Sequence, residues 1–251
     1  MNISAPRIAA FFDIDGTLLP PPSLERQMLR YLRWRDELPG GALLRWSSEF
    51  LKRAWRSPLA ATHGNKAHYR GVCVRAMETF CALLRRHPLP LIPAALEWLT
   101  WHATRGHAIM LVSGTLRPLA LCIAQHIAHN WNIGEALPIR VVAATLEVHE
   151  GRFTGRTAGE PVCGRAKAAA VHRLARELGL DLPSCFAYGN GYADRRMLGT
   201  VGHPTAVNPS VGLRLFARHH GWPVVEWNRR PTPEQQMVSE HLHALYDDKS
   251  N

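Results

Sequence analysis

The chain has 251 residues, 46% of them hydrophobic, and a formal net charge of +10, enough apolar material for one domain with an insertion or for two small domains. No run approaches the roughly 20 apolar residues of a membrane-spanning helix, and the apolar start IAAFFDI breaks at Asp13 too early for a signal peptide, so a soluble, cytoplasmic protein is expected. The five cysteines (Cys73, Cys81, Cys122, Cys163 and Cys185) contain no Cys-x-x-Cys pair, and the fourteen histidines show no metal-ligand spacing; reduced, packed thiols and no zinc site are expected.

Residues 7–12 read as a buried strand that ends at Asp13, with Asp15 two residues later. Alternate residues of an extended chain share a face, so both carboxylates would point the same way and could hold a metal ion or a phosphoryl group between them. Gly16 permits a sharp turn, and the Thr17 hydroxyl can bond the turn backbone. The same letters also suit an ordinary surface turn, because Asp-Gly is a common loop signal.

From residue 20 to 105 there is helical periodicity without strand alternation, which predicts an inserted α-helical cap. Leu43, Trp46, Phe50 and Ala54 form an apolar stripe, with Arg45, Lys52 and Arg56 on the other side; further helices are expected over 70–86 and 93–104. The segment holds fourteen Lys and Arg against six Asp and Glu, most of the chain's net positive charge. Arginine and tryptophan on an amphipathic helix suit an anionic membrane surface. Aromatic stripes mostly pack inward, however, and Trp34, Trp46 and Trp55 are read as core. No nucleic-acid-reading motif accompanies the basic charge, so nucleic acid is not expected as a partner.

Beyond the insertion, strands near 108–112, 140–144, 185–188, 205–207 and 223–226 alternate with helices over 116–129, 164–179, 193–199 and 210–220. This is the pattern of an α/β protein with a doubly wound parallel sheet, whose ligands bind past the carboxyl ends of the strands. Ser113 and the Gly114 amide, at such an end, can meet an anion or close a simple turn. Lys167, in the first turn of its helix, opposes the helix dipole; a cation aimed at a phosphate explains that position. Asp194 near the start of the next helix is either a helix N-terminal residue or a site residue. EVHEGRFTG predicts a hairpin next to Lys167, and the polar tail from Arg229 predicts a loosely docked terminus.

Four segments in fixed order, FFDIDGTLL, AIMLVSGT, CGRAKAAAV and CFAYGNGYADRRML, resemble the haloacid dehalogenase superfamily, in particular its phosphoserine phosphatase-like branch. The likeness runs from Arg7 to about Trp227. It implies a Rossmann-like core over 1–19 and 106–228, a helical cap over 20–105 and a tail at 229–251. The resemblance further implies Mg²⁺-dependent hydrolysis of a phosphate monoester. Asp13 would be the nucleophile and Asp15 the acid and base; Thr17, Ser113, Gly114 and Lys167 would hold the phosphate, and Asp13, Asp15, Asn190 and Asp194 the metal. One departure stands out: Asn190 occupies a position where the family usually has Asp, and an amide oxygen should hold Mg²⁺ less tightly than a carboxylate. A weakly active phosphate- or partner-binding protein is therefore an alternative. The substrate implied is a small phosphorylated metabolite, or a lysophospholipid or phospholipid headgroup if the basic cap makes peripheral membrane contact. Glu25, Lys66 and Arg70 are the cap's candidate substrate contacts, though each reads more readily as a solvated charge.

Overall fold

The computed structural model describes residues 7–54, 65–131, 133 and 138–227. Trp55, Arg56 and the tail from 229 lie outside them, and so do the expectations that fall there.

Six strands form one parallel sheet: β1 (Ala9–Phe12), β2 (Ala108–Leu116), β3 (Arg140–Ala144), β6 (Phe186–Gly189), β7 (His203–Val207) and β8 (Val224–Val225), in the spatial order β3-β2-β1-β6-β7-β8. All four residues of β1 are fully buried, as befits a central strand covered on both faces, and its continuous apolar run follows from that position. The alternation of side chains sorts β1 between two cores. Phe11 packs with Val171, Leu174, Met197 and Leu213 on one face, while Phe12 packs with Met28, Phe80, Leu99 and Leu119 on the other. The first core is closed by α6 (Arg165–Leu178), α7 (Arg195–Leu198) and α8 (Val211–His219); the second is closed by α5 (Arg117–Trp131) and by helices that intervene between β1 and β2.

Those intervening helices are α1 (Leu24–Trp34), α2 (Ala42–Ala54), α3 (Val74–Arg86) and α4 (Pro93–Thr104), with a short 3₁₀ turn over Ala67–Tyr69. They share the Phe12 core rather than building their own: Leu24, Met28, Leu32, Met77 and Phe80 are continuous with it. The sequence reading did not single out α1, although its signals are present. Ser23 accepts from the Arg26 amide at 3.3 Å as an N-cap, and Leu24, Met28, Tyr31 and Leu32 follow at helical spacing and are buried.

The stripe expected on α2 behaves differently from the reading. Trp46 and Phe50 are partly buried and stack at 5.3 Å, but Leu43 is 71% exposed, and so are Leu44 (77%) and Leu51 (72%). The reason is what lies beneath α2, which leans on the 3₁₀ turn instead of the sheet and covers only one edge of its apolar surface.

The predicted hairpin is present as β4 (Leu146–His149) paired antiparallel with β5 (Arg152–Thr157). It grips the insertion through backbone bonds: the Phe153 amide donates to the Val72 carbonyl at 2.9 Å, and the Gly71 amide to the Phe153 carbonyl at 2.8 Å. No helix among the described residues is long and apolar enough to cross a membrane.

Candidate active site

Parallel strands in one sheet end on the same side, so residues just beyond β1, β2 and β6 meet there whatever their separation in sequence. Asp13 follows β1, Ser113 and Thr115 lie at the end of β2, and Asn190 and Asp194 follow β6. All five border a cavity of about 560 Å³, together with Asp15, Gly114 and Lys167.

Lys167 is the hub. Its Nζ donates to Asp13 Oδ1 at 2.5 Å and to Asp194 Oδ1 at 2.6 Å, and its side chain is 5% exposed. The position that opposes the dipole of α6 is thus explained by two carboxylates. Burial works against the lysine's charge, but Asp13 and Asp194 outweigh it and hold the ammonium above its ordinary range. Burial pushes the Asp13 carboxyl up to about 6; Lys167 pulls it down and Asp194 raises it again. Two acids facing one lysine leave surplus negative charge at the floor of the cavity.

Asp194 is fixed through its other oxygen, which accepts from the Gly191 amide at 2.8 Å. The loop closes tightly enough that a Cβ on Gly189 would stand 2.7 Å from the Cβ of Asp194, so this strand end requires glycine. Gly16 is constrained in the same way: its φ is +85°, and a Cβ there would lie 1.9 Å from Asn190 Nδ2. The turn after the aspartate pair therefore carries the Asn190 amide directly against it.

Asp15 points into the cavity with both oxygens engaged. Oδ1 accepts from the Leu24 amide at 3.1 Å and Oδ2 from the Thr115 hydroxyl at 2.5 Å. Thr115 also shares a hydrogen bond with Ser113 Oγ at 3.1 Å, so Ser113 touches the second aspartate only through Thr115. The sequence reading missed Thr115, yet its signal was available: it lies two residues after Ser113 and so on the same face of the strand.

Thr17 departs from expectation. It is fully buried, its hydroxyl has no hydrogen-bond partner among the described residues, and it does not border the cavity. After Gly16 the chain folds back, with the Thr17, Leu18 and Leu19 amides all donating to the Ile14 carbonyl, which tucks Thr17 behind the loop.

The far wall of the cavity comes from the insertion. Lys66 Nζ contacts Glu25 at 2.5 and 2.6 Å and the Gly114 carbonyl at 3.2 Å. Burial raises the Glu25 carboxyl and Lys66 draws it back. Trp46, Asn65 and His68 complete this wall. Arg70, the third candidate from the sequence, is exposed beside Gly155 of the hairpin and does not border the cavity.

Among the described residues no three His, Cys, Asp or Glu side chains form a ready metal cage. The donors nevertheless suit a hard divalent cation: Asp13, Asp15, Asn190 and Asp194 offer oxygen ligands on one side of the cavity, and the surplus negative charge around Asp13 is what such a cation would balance.

Fold and site together place a strand-end aspartate, paired with a buried lysine, past the carboxyl ends of a parallel sheet in an α/β protein. The sequence profile of the haloacid dehalogenase-like hydrolases matches residues 10–199, and the chain belongs to that family. Its relatives place it among the family's phosphatases. It is 30% identical over 226 residues to the phosphoserine phosphatase SerB1 of Mycobacterium tuberculosis, covering 86% of this chain and 70% of that one. It is 32% identical over 234 residues to a probable phosphatase of the same organism, covering 89% and 76%. A solved phospho-aspartyl intermediate analogue of phosphoserine phosphatase superposes with a TM-score of 0.61 at 18% identity, over 92% of this chain and 98% of that one, a likeness that speaks to the fold.

Proposed function

We propose that the chain is a Mg²⁺-dependent phosphatase that hydrolyses a small phosphate monoester through an aspartyl-phosphate formed on Asp13. The observation that carries this reading is the buried Asp13–Lys167–Asp194 arrangement at the floor of a cavity that also holds Asp15. Asp13 attacks phosphorus while the ester oxygen departs on the opposite side, splitting one difficult step into two. Asp15 donates a proton to that oxygen and then takes one from the water that cleaves the acyl phosphate. Its bonds from the Leu24 amide and the Thr115 hydroxyl hold the carboxylate in place for both steps. Lys167, Ser113 and the Gly114 amide stabilise charge gathering on the phosphoryl oxygens. A bound Mg²⁺ supplies charge neutralisation between Asp13 and the incoming anion; Asp13, Asp15, Asn190 and Asp194 would hold it.

The inserted helices act as a cap that shields the cavity from water and chooses the substrate. A paired carboxylate and ammonium, Glu25 and Lys66, suit a substrate with polar groups beyond its phosphate, in keeping with relatives named for phosphoserine. Mg²⁺-dependent release of phosphate from an aryl phosphate, followed by a screen of phosphorylated metabolites, tests the proposal. Asp13→Asn should lower turnover by at least about 10³-fold without unfolding the protein. Absence of hydrolysis with any divalent metal would instead favour a phosphate-binding protein weakened at Asn190.

A second reading rests on the exposed Leu43, Leu44 and Leu51 of α2. Set beside Arg45 and Lys52, they suit peripheral contact with an anionic bilayer, and the substrate would then be a lysophospholipid or phospholipid headgroup. Co-sedimentation with anionic but not neutral liposomes, weakened by salt, is the outcome this reading requires.

A further inference from the structure

The catalytic cavity is not the only place where chemistry-bearing side chains meet across the insertion and the core. On the side of the molecule where α3 packs on α5, a second cavity of about 440 Å³ is bordered by Cys81 of α3, Cys122 of α5, Arg85, Glu78 and Phe153 of the hairpin. Cys122 Sγ stands 3.9 Å from the Cys81 carbonyl oxygen, and Arg85 Nη1 stands 3.7 Å from the same sulfur. The first contact brings the two cysteines against each other across the seam between α3 and α5. Forty-one residues separate them in sequence. Nothing in the phosphatase chemistry uses either one.

We propose that Cys81 and Cys122 form a redox-modification site, a dithiol that a peroxide converts to a disulfide fastening α3 of the insertion to α5 of the core. The environment favours this pair over the other cysteines. The neighbouring Cys81 thiol, with Arg85 beside it, lowers the Cys122 thiol below its ordinary range despite burial, which favours the thiolate, the reactive form. Burial raises the Cys163 and Cys185 thiols. Both members of the pair are buried, yet they border a cavity far larger than the roughly 30 Å³ share of one water molecule, so a small peroxide has room to reach them.

The chemistry balances in two steps. The Cys122 thiolate attacks one oxygen of hydrogen peroxide; the O–O bond breaks, hydroxide leaves and takes up a proton, and Cys122 becomes a sulfenic acid. Cys81 sulfur then attacks Cys122 sulfur; the S–O bond breaks, and the departing hydroxide takes the Cys81 proton as water. Two thiols are oxidised by two electrons, and one peroxide is reduced to two waters. The consequence follows from position. On this proposal substrate entry and product release shift the inserted helices against the sheet, and a bond between α3 and α5 resists that shift.

The experiment treats the purified full chain with a small excess of hydrogen peroxide and digests it without reduction. Mass spectrometry should find the Cys81 and Cys122 peptides joined, two hydrogens lighter than their sum, with the link abolished by dithiothreitol. The oxidised protein should melt at a higher temperature, and phosphatase activity should fall by roughly ten-fold or more as opening becomes limiting, returning on reduction. Cys81→Ser and Cys122→Ser should each retain activity after peroxide. Peptides that stay separate while Cys73 or Cys163 is oxidised overturn the proposal. So does peroxide sensitivity that persists in both variants, which would place the damage at Cys163 beside Lys167, and so does a linked protein with unaltered turnover. The peptide link and the melting shift are read without any phosphatase assay, so they stand or fall apart from the proposed reaction.

Discussion

The cavity has two lysine–carboxylate contacts, one from the sheet side and one from the insertion, and they differ in how they are built. On the sheet side Lys167 bridges Asp13 and Asp194, two acids to one base. On the helical side Lys66 meets Glu25 alone, one to one, and also reaches the Gly114 carbonyl. In the first cluster two acids follow strand ends and meet a lysine from the first turn of α6; the second joins α1, which shares the Phe12 core of the sheet, to the loop before the 3₁₀ turn. Surplus negative charge belongs to the wall where a metal and a phosphoryl group would be handled. Charge balance belongs to the wall that would read the rest of the substrate. On the proposed function, chemistry and selectivity fall to different parts of the chain.

The largest test of this division is Lys167→Met. It leaves Asp13 and Asp194 buried and facing each other without their shared cation, a change of the kind that costs about 3–5 kcal/mol when one member of a buried pair is removed. For a chain of this size that corresponds to a melting temperature lower by roughly 10 °C, seen by calorimetry. Turnover should fall by about 10³-fold, with KM changed far less. A variant that keeps its turnover would show that the lysine only packs.

The same contrast explains what could be read from the sequence. Asp13, Asp15, Ser113, Lys167 and Asp194 were legible because four segments in fixed order resemble one family's motifs; taken alone, Ser113 reads as a turn and Asp194 as a helix start, and it is the parallel topology that brings them to one cavity. The six strands and their flanking helices were legible through apolar runs that must be buried on both faces. The wall formed by the insertion was not. Glu25 and Lys66 find each other through tertiary packing that no spacing announces, and Arg70, equally plausible on paper, turns outward. Thr17 and Thr115 exchanged importance because the fold-back of residues 17–19 onto Ile14 hides one hydroxyl, while the pleat of β2 presents the other to Asp15. The stripe on α2 had the right period, but periodicity says nothing of whether a partner surface lies beneath it.

Glu25→Gln probes the second wall. Neutralising the acid leaves Lys66 in the cavity without its partner and should lower kcat/KM for the best substrate by about ten- to hundred-fold, mostly through KM. Hydrolysis of a bare aryl phosphate, which has no polar group for this wall to read, should change by only a few-fold. Equal loss of kcat on both substrates would move Glu25 into the chemistry and erase the distinction between the walls.

Acidity offers a milder probe of the first wall. Burial holds the Asp13 carboxyl at about 6, above the ordinary carboxylate range, so as acid is added it takes up its proton early. The carboxylate needed for attack therefore prevails above about pH 6 and is lost below it. kcat/KM should decline there by about ten-fold per pH unit, and the limb should move to lower pH as Mg²⁺ is raised, since a cation beside Asp13 favours its charged form. An acid limb indifferent to Mg²⁺ would separate the metal from Asp13.

The smallest expected effect concerns Asn190, whose amide lies against the Gly16 turn. Introducing a carboxylate with Asn190→Asp adds a fourth acid, beside Asp13, Asp15 and Asp194, to a wall that already holds more negative charge than Lys167 neutralises. Two consequences pull against each other. A charged oxygen ligand should tighten Mg²⁺, lowering the concentration for half-maximal activity by several-fold; in the absence of metal the added repulsion should push the Asp13 carboxyl still higher and shift the acid limb upward. Measured together, the two shifts should be opposite in sense, tighter metal binding alongside a metal-free protein that needs higher pH. A variant in which the Mg²⁺ requirement does not change, while the acid limb still moves, would show that residue 190 senses the charge of the sheet wall without ligating the ion.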